Sequence, residues 1–142
     1  MKKILIDLNV IIDMINKRED HEAAVTIFDR CVKKHDRGYV CAHEITTLAY
    51  FLGKDKKLLE KRSVIIRSLL KTLTAIPVTE TLLLDALDSP IDDYENAVVE
   101  VSALKEDIDY IVSRDLRDFK RSRVPSLTAS DYIAGIGVES DD

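Results

Sequence analysis

The chain of 142 residues has no tryptophan, only four glycines, three prolines and two cysteines. No GxGxxG and no Walker-type loop is present, which argues against glycine-rich nucleotide cradles. Cys31 and Cys41 stand ten residues apart with no CxxC and no paired histidines, so neither a disulfide framework nor a structural zinc site is expected. His21, His35 and His43 share no ligand spacing. Five Tyr and three Phe offer little for a base-stacking nucleic-acid surface. There is no apolar run of 18 residues or more, and the opening Met-Lys-Lys-Ile-Leu-Ile meets Asp7 and Asn9 too early for a signal-peptide core. The expectation is a cytoplasmic protein with no membrane partner.

What is present is a globular composition, 46% hydrophobic and 33% charged, with enough chain to bury one core. One domain over 1–134 and a C-terminal tail over 135–142 are expected. The net charge of −5 is unevenly spread. Ten carboxylates face one lysine, Lys105, between Glu80 and Asp109, whereas Lys54–Arg62 and Arg114–Arg123 are basic runs. Each run alone reads as a solvated helix face. Together they describe basic rims beside an acidic centre, the distribution expected when a cation sits among carboxylates and a phosphate chain lies alongside.

Apolar spacing predicts a buried strand over Ile4–Leu8, a helix from Asn9–Val10 to Asn16, and an amphipathic helix over Glu22–Lys34. A strand at Tyr39–Ala42, helices at Glu44–Leu52 and Lys57–Thr72, and a strand near Ala75–Val78 follow. Glu80–Leu87 reads as a short helix. Asp92, with Glu95 three residues on, suits the start of a helix running through Leu104. Tyr110–Val112 and Pro125–Leu127 are short strands, and Ser130–Ala134 a last helical turn. Tyr50, Phe51 and Tyr132 are expected in the core, Cys41 within a strand and Cys31 on a helix face. Strands alternating with helices imply an α/β fold with a mostly parallel sheet of about four or five strands, and ligands at the carboxyl ends of those strands.

Three acids stand where that rule places a site. Asp7 ends the first strand, Glu44 follows the second, and Asp115 follows Tyr110–Val112; Asp92, Asp93, Glu95 and Asn96 open the helix before it. Carboxylates gathered from separate elements repel one another unless a cation or protons offset them. Oxygen donors alone suit Mg²⁺ or Mn²⁺ rather than zinc, and such a cation activates water and offsets the charge of a phosphate. The bland alternatives are caps and first-turn acids: Asp7 and Glu44 both suit a helix start, and Asp92 and Glu95 are read as capping residues. Asp13 is expected to face solvent or pair with a lysine.

These residues resemble a known family. Ile4-Leu5-Ile6-Asp7-Leu8-Asn9-Val10-Ile11-Ile12-Asp13 is similar to the opening of PIN domains. Asp93-Tyr94-Glu95-Asn96-Ala97 resembles an Asp-Phe-Glu-Asp-Ala element of one PIN subgroup, and Asp109–Phe119 and Val124–Thr128 resemble its closing strand, loop and last strand. The resemblance covers nearly the whole chain. It implies a compact Rossmann-like fold and a metal-dependent endoribonuclease, such as the VapC-type toxins of toxin–antitoxin pairs. By it, Asp7 and Asp115 are metal ligands, with Asp118 in support and Asn9 orienting a ligand or substrate. Two slots depart from the pattern. Thr47 stands where the second-helix acid is usual, with Glu44 three residues earlier. Asn96 stands where an acid precedes the alanine, with Asp93 three residues earlier. Residues three apart share a helix face, so Glu44 and Asp93 are the alternative ligands.

The implied partners are an RNA substrate, held by Lys54, Lys56, Lys57, Arg114 and Arg117, a small antitoxin protein covering the pocket, and a second copy in a homodimer. The competing expectation is a PIN-fold module of reduced catalytic power that binds RNA or a protein. Haloacid-dehalogenase and receiver folds fit less well, because the second Asp and Thr of the one and the central phosphoacceptor and later Lys of the other are missing.

Overall fold

A computed structural model describes the backbone of residues 1–139 and side chains as far as Ile136. Among the described residues, five strands form one sheet in the order β3-β2-β1-β4-β5. They are β1 (Lys2–Ile6), β2 (Asp36–Cys41), β3 (Thr74–Ile76), β4 (Tyr110–Val112) and β5 (Ser126–Leu127). All four pairings are parallel. The helices are α1 (Leu8–Ile15), α2 (His21–Val32), α3 (Ala42–Gly53), α4 (Lys56–Thr72), α5 (Glu80–Ala86), α6 (Tyr94–Lys105) and α7 (Ala129–Glu139), with a 3-10 turn at Leu116–Phe119.

β1 is central and covered on both faces, so Ile4, Leu5 and Ile6 form an unbroken apolar run with no exposed surface. Successive side chains of a strand point to opposite faces. Ile4 and Ile6 accordingly join Ile11, Ile27, Leu48 and Tyr132 in one core layer, while Leu5 joins Tyr39, Val99 and Ile111 in the other. The chain winds outward from β1 through β2 to β3, then returns to the other side for β4 and β5. The order reverses between β1 and β4, and a crevice opens beyond the strand ends at such a reversal. Ile6 pairs with Val112 there, which sets Asp7 and Ser113 side by side.

A buried charge fixes the far side of this crevice. Glu100 of α6 has no exposed surface and accepts bonds from the Ser89 hydroxyl at 2.7 Å, the Arg123 main-chain N–H at 2.6 Å and the Arg123 guanidinium at 2.8 Å. One side chain thus ties the turn before α6 to the segment leading into β5.

Several boundaries differ from expectation. The first strand stops at Ile6, because Asp7 is the N-cap of α1 and its side chain accepts from the Leu8 N–H. Asp93, not Asp92, caps α6, accepting from the Asn96 N–H at 3.0 Å. The strand expected near Ala75–Val78 is Thr74–Ile76, ahead of Pro77, which has no N–H to donate. The closing turn expected at Ser130–Ala134 is an eleven-residue helix, so the backbone expected as tail from Gly135 continues α7 to Glu139; 140–142 lie outside the described residues. Tyr132 is buried as expected, but Tyr50 is 70% exposed on α3, with the Lys54 ammonium 4.7 Å from its ring centroid.

The backbone of β2 passes close to its neighbours at Gly38, where an added Cβ would lie 2.5 Å from Leu73 Cδ2 and 2.8 Å from Cys31 Sγ, both on buried residues. Gly38→Ala is expected to cost about 1–3 kcal/mol by overpacking, read as a lower urea midpoint with an unchanged denaturant slope.

Candidate active site

The N-cap of α1 and the first turn of α3 place two carboxylates at the switch point. Asp7 is 6% exposed and Glu44 2%. The Leu8 N–H lies between them, 3.0 Å from Asp7 Oδ1 and 3.3 Å from Glu44 Oε2. The other Asp7 oxygen accepts from the Ser113 hydroxyl at 2.9 Å, and the Asp7 N–H donates to the Val112 carbonyl. The second Glu44 oxygen, Oε1, is buried with no hydrogen-bond partner among the described residues.

Burial pushes the Glu44 carboxyl well above the usual range, and the neighbouring Asp7 charge pushes it further. Burial also raises Asp7, against the lowering effect of the neighbouring Glu44 carboxyl, the Ser113 hydroxyl and the Leu8 N–H. Two acids so placed cannot both ionise cheaply without a cation. An orphaned carboxylate oxygen beside a second buried carboxylate is the donor set a hard divalent cation takes.

The remaining acids form a rim. Asp118 lies close enough for its charge to raise Asp7, and its own carboxyl is raised by desolvation and then by Asp115 and Asp93. Asp115 caps the 3-10 turn and is bound by its own neighbour: Arg117 donates from its main-chain N–H at 3.0 Å and its guanidinium at 3.3 Å, holding the Asp115 carboxyl below its usual range. Asp93 is exposed at the head of α6, and Asn96 is half-buried in its first turn. Asp93, Asn96 and Asp118 border a hollow of about 310 Å³ that Arg117, Lys120 and Arg121 also line. Among the described residues, no three acid, histidine or cysteine side chains surround one common point. The buried pair and the rim acids are therefore neighbours rather than a closed cage.

Thr47 is exposed one turn beyond Glu44, its hydroxyl 3.5 Å from the His43 carbonyl, so Glu44 is the member of that pair that faces Asp7. Lys54, Lys56 and Lys57 sit at the far end of α3 and the start of α4, roughly 15 Å along the helix from Glu44. Asn9 bridges to the closing loop, its amide group 3.4 Å from the Ser113 hydroxyl and its carbonyl oxygen accepting from the Arg114 N–H at 3.1 Å. The Arg114 guanidinium pairs with Asp13 at 2.8 Å. Asp13 is buried and paired with arginines, where an acid facing solvent or paired with a lysine is expected.

Sequence reasoning missed Ser113 and Glu95. Ser113 had a usable signal, being the residue after β4 at the same level as Asp7. Glu95, read as a capping residue, carries a charge felt by Glu44 and by His43. Both His43 ring nitrogens are buried without partners among the described residues, and burial pushes the imidazole down.

A family model described as PIN domain matches residues 3–117. The chain belongs to the PIN-domain family. Its fold is similar to that of "VapBC2 from Rickettsia felis bound to a DNA fragment from their promoter", with a TM-score of 0.67, 15% identity, and coverage of 89% of this chain and 98% of that one. DNA-bound VapBC from Salmonella typhimurium gives a TM-score of 0.67 at 16% identity over 91% and 99% of the two chains. FitAcB from Neisseria gonorrhoeae gives 0.67 at 18% over 89% and 98%. No curated protein sequence matches. Among the described residues, no helix is long and apolar enough to cross a membrane.

The raised carboxyl of Glu44 predicts a pH signature. A group whose folded pKa lies above its unfolded value stabilises fully below the unfolded value, and that contribution is lost as pH rises through the folded one. The metal-free protein should lose stability as pH rises from about 4.5, with Glu44→Gln showing a shallower slope, that of Asp7 alone, and melting roughly 3–8 °C higher at neutral pH. Thermal melts of both proteins between pH 4.5 and 8 provide the comparison; parallel curves would mean that the pair carries no strain.

Proposed function

We propose that this chain is a divalent-metal-dependent endoribonuclease of the PIN type, and the toxin of a toxin–antitoxin pair. The observation that carries the proposal is the pair of buried carboxylates at the switch point, one with an orphaned oxygen. Asp7 and Glu44 would hold Mg²⁺ or Mn²⁺, with Asp118, Asp115, Asp93 and Asn96 completing the set from the rim. A bound divalent cation supplies the positive charge that this pair lacks and that a scissile phosphate needs. Ser113 and the Leu8 N–H fix the Asp7 carboxylate in one orientation. Arg117, Lys120 and Arg121, on the same hollow, suit contacts to the RNA backbone, which give salt-sensitive binding with little sequence information.

The toxin assignment extends to this chain what the solved neighbours are described as, VapBC and FitAB assemblies. A small antitoxin covering the acidic pocket and a homodimer belong to the same proposal. So does the location in the cytoplasm. A second function, a PIN-fold module binding RNA or a protein without efficient cleavage, is favoured by three features: uncharged Asn96, Asp115 engaged by Arg117, and the open arrangement of the acids.

Calorimetric titration with Mn²⁺, followed by incubation with a mixed RNA pool, separates the two. The wild type should bind the ion and cut RNA, and Asp7→Asn should lose both, with cleavage down at least 100-fold. A wild type that takes up no Mn²⁺ at millimolar concentration would overturn the nuclease and leave the binding module.

A further inference from the structure

The nuclease proposal leaves unassigned the one buried acid of α1 outside the carboxylate pair. Asp13 is 4% exposed and lies two turns along α1 from Asp7. A buried carboxylate needs a cation or donors facing it. Asp13 has Arg114 at 2.8 Å, and Arg18 at 3.7 Å from the same oxygen. Asn9 and Asp13 stand four residues apart and so share one face of the helix. Asn9 takes the Arg114 main-chain N–H and Asp13 takes its guanidinium. With the Ser113 hydroxyl on Asp7, successive turns of α1 grip two consecutive residues of the loop after β4. Immediately beyond, the chain enters the 3-10 turn that carries Asp115 and Asp118, where Arg117 and Asp118 are exposed and Asp115 and Leu116 only half-buried.

We propose that Asp13 is a positioning residue that acts through Arg114, latching the post-β4 loop to α1 so that Asp115 and Asp118 stand at the rim beside Asp7 and Glu44. Arg114 is then the cationic half of a latch rather than a contact for RNA phosphate. The proposal rests on the nuclease assignment only for its consequence in metal binding; the latch itself is a property of the apoprotein.

Amide hydrogen exchange on the metal-free protein tests the latch directly. In Asp13→Asn and in Arg114→Gln, the amides of 114–118 should exchange at least 10-fold faster, with β2 and α6 unchanged. The double variant should be no worse than the poorer single variant, because both remove one interaction. Arg114→Lys, which keeps the charge and loses the fork, should recover part of the protection. Mn²⁺ affinity should fall about 10-fold in each single variant, as for outer partners of metal ligands. Should Asp13→Asn fail to fold, Arg114→Gln decides the matter, since that side chain is half-exposed. Unchanged loop exchange in Arg114→Gln, together with weaker binding of the mixed RNA pool and a salt slope lower by about one, would overturn the latch and return Arg114 to the phosphate backbone. If the wild type binds no Mn²⁺, the nuclease assignment falls, and loop exchange alone still upholds or overturns the latch.

Discussion

Two carboxylates held together out of water, Asp7 and Glu44, are the constraint around which the rest of this molecule is arranged. Isolated buried charges of like sign are among the costliest features a fold can carry, and here one oxygen has no donor among the described residues. The surroundings offset that cost only in part. A single main-chain N–H lies between the two acids, and a serine hydroxyl serves one of them. An interior evolved for stability alone would place an apolar pair there, as it does throughout the two layers that sandwich β1. Retaining the pair makes sense if the missing positive charge arrives from outside, so the strain is itself the argument for a ligand.

The topology explains why these residues meet. Parallel strands all end on the same edge, and the reversal of strand order between β1 and β4 keeps that edge from being closed by a crossover. Residues 7, 44 and 113 are remote in sequence but meet at this edge because Asp7 and Ser113 follow directly on strands and Glu44 lies in the helical turn after β2. α6 enters the same edge from the other face, bringing Asp93, Glu95 and Asn96. Its position depends on Glu100, whose three bonds tie the helix to the segments before and after the rim. The acid that holds the scaffold is satisfied by Arg123, and its carboxyl, though desolvation works to raise it, is held below its usual range. The two acids at the strand ends shift the other way. Buried carboxylates in one small domain thus separate by role: Glu100 and Asp13 have an arginine from the chain, and the pair has no cation among the described residues.

Much of this was legible in the sequence. The apolar run Ile4-Leu5-Ile6 ending on an acid marks both the central strand and the buried carboxylate at its end, because a doubly covered parallel strand admits no polar alternation. The alternation of strands and helices likewise carries the parallel sheet. Less visible was whatever depends on where a helix starts. Asp92 and Asp93 are equivalent cap candidates to any local rule, and the choice between them falls to α6 packing through Ala97 and Val99 into the core layer. α7 was undervalued because Gly135 and Gly137 lower helix propensity, whereas its packing against α2 does not appear in a local pattern. Tyr50 was expected inside on its apolar ring, but its position on α3 faces outward. Asp13 gives little local signal, since its shorter ion pair is to Arg114, about a hundred residues away.

Two ambiguities in the sequence share one form, a choice between positions three apart, Glu44 or Thr47 and Asp93 or Asn96, and the same spacing separates Asp115 from its expected supporting acid, Asp118. Helical geometry makes such pairs near-equivalent in direction and separates them by one turn of height. The structure separates them by what else each side chain is doing. Glu44 is buried against Asp7, whereas Thr47 bonds within its own helix. Asp93 and Asp115 are both occupied as caps, the latter also by Arg117. Asp118 is committed to no cap, and its charge acts on Asp7. A carboxylate already bonded to main-chain N–H groups and an arginine must give these up before it can turn toward a cation. On this ground Asp118, rather than Asp115, is the rim acid freest to join Asp7 and Glu44, and the loop that carries it is the part of the fold whose placement matters most to the site.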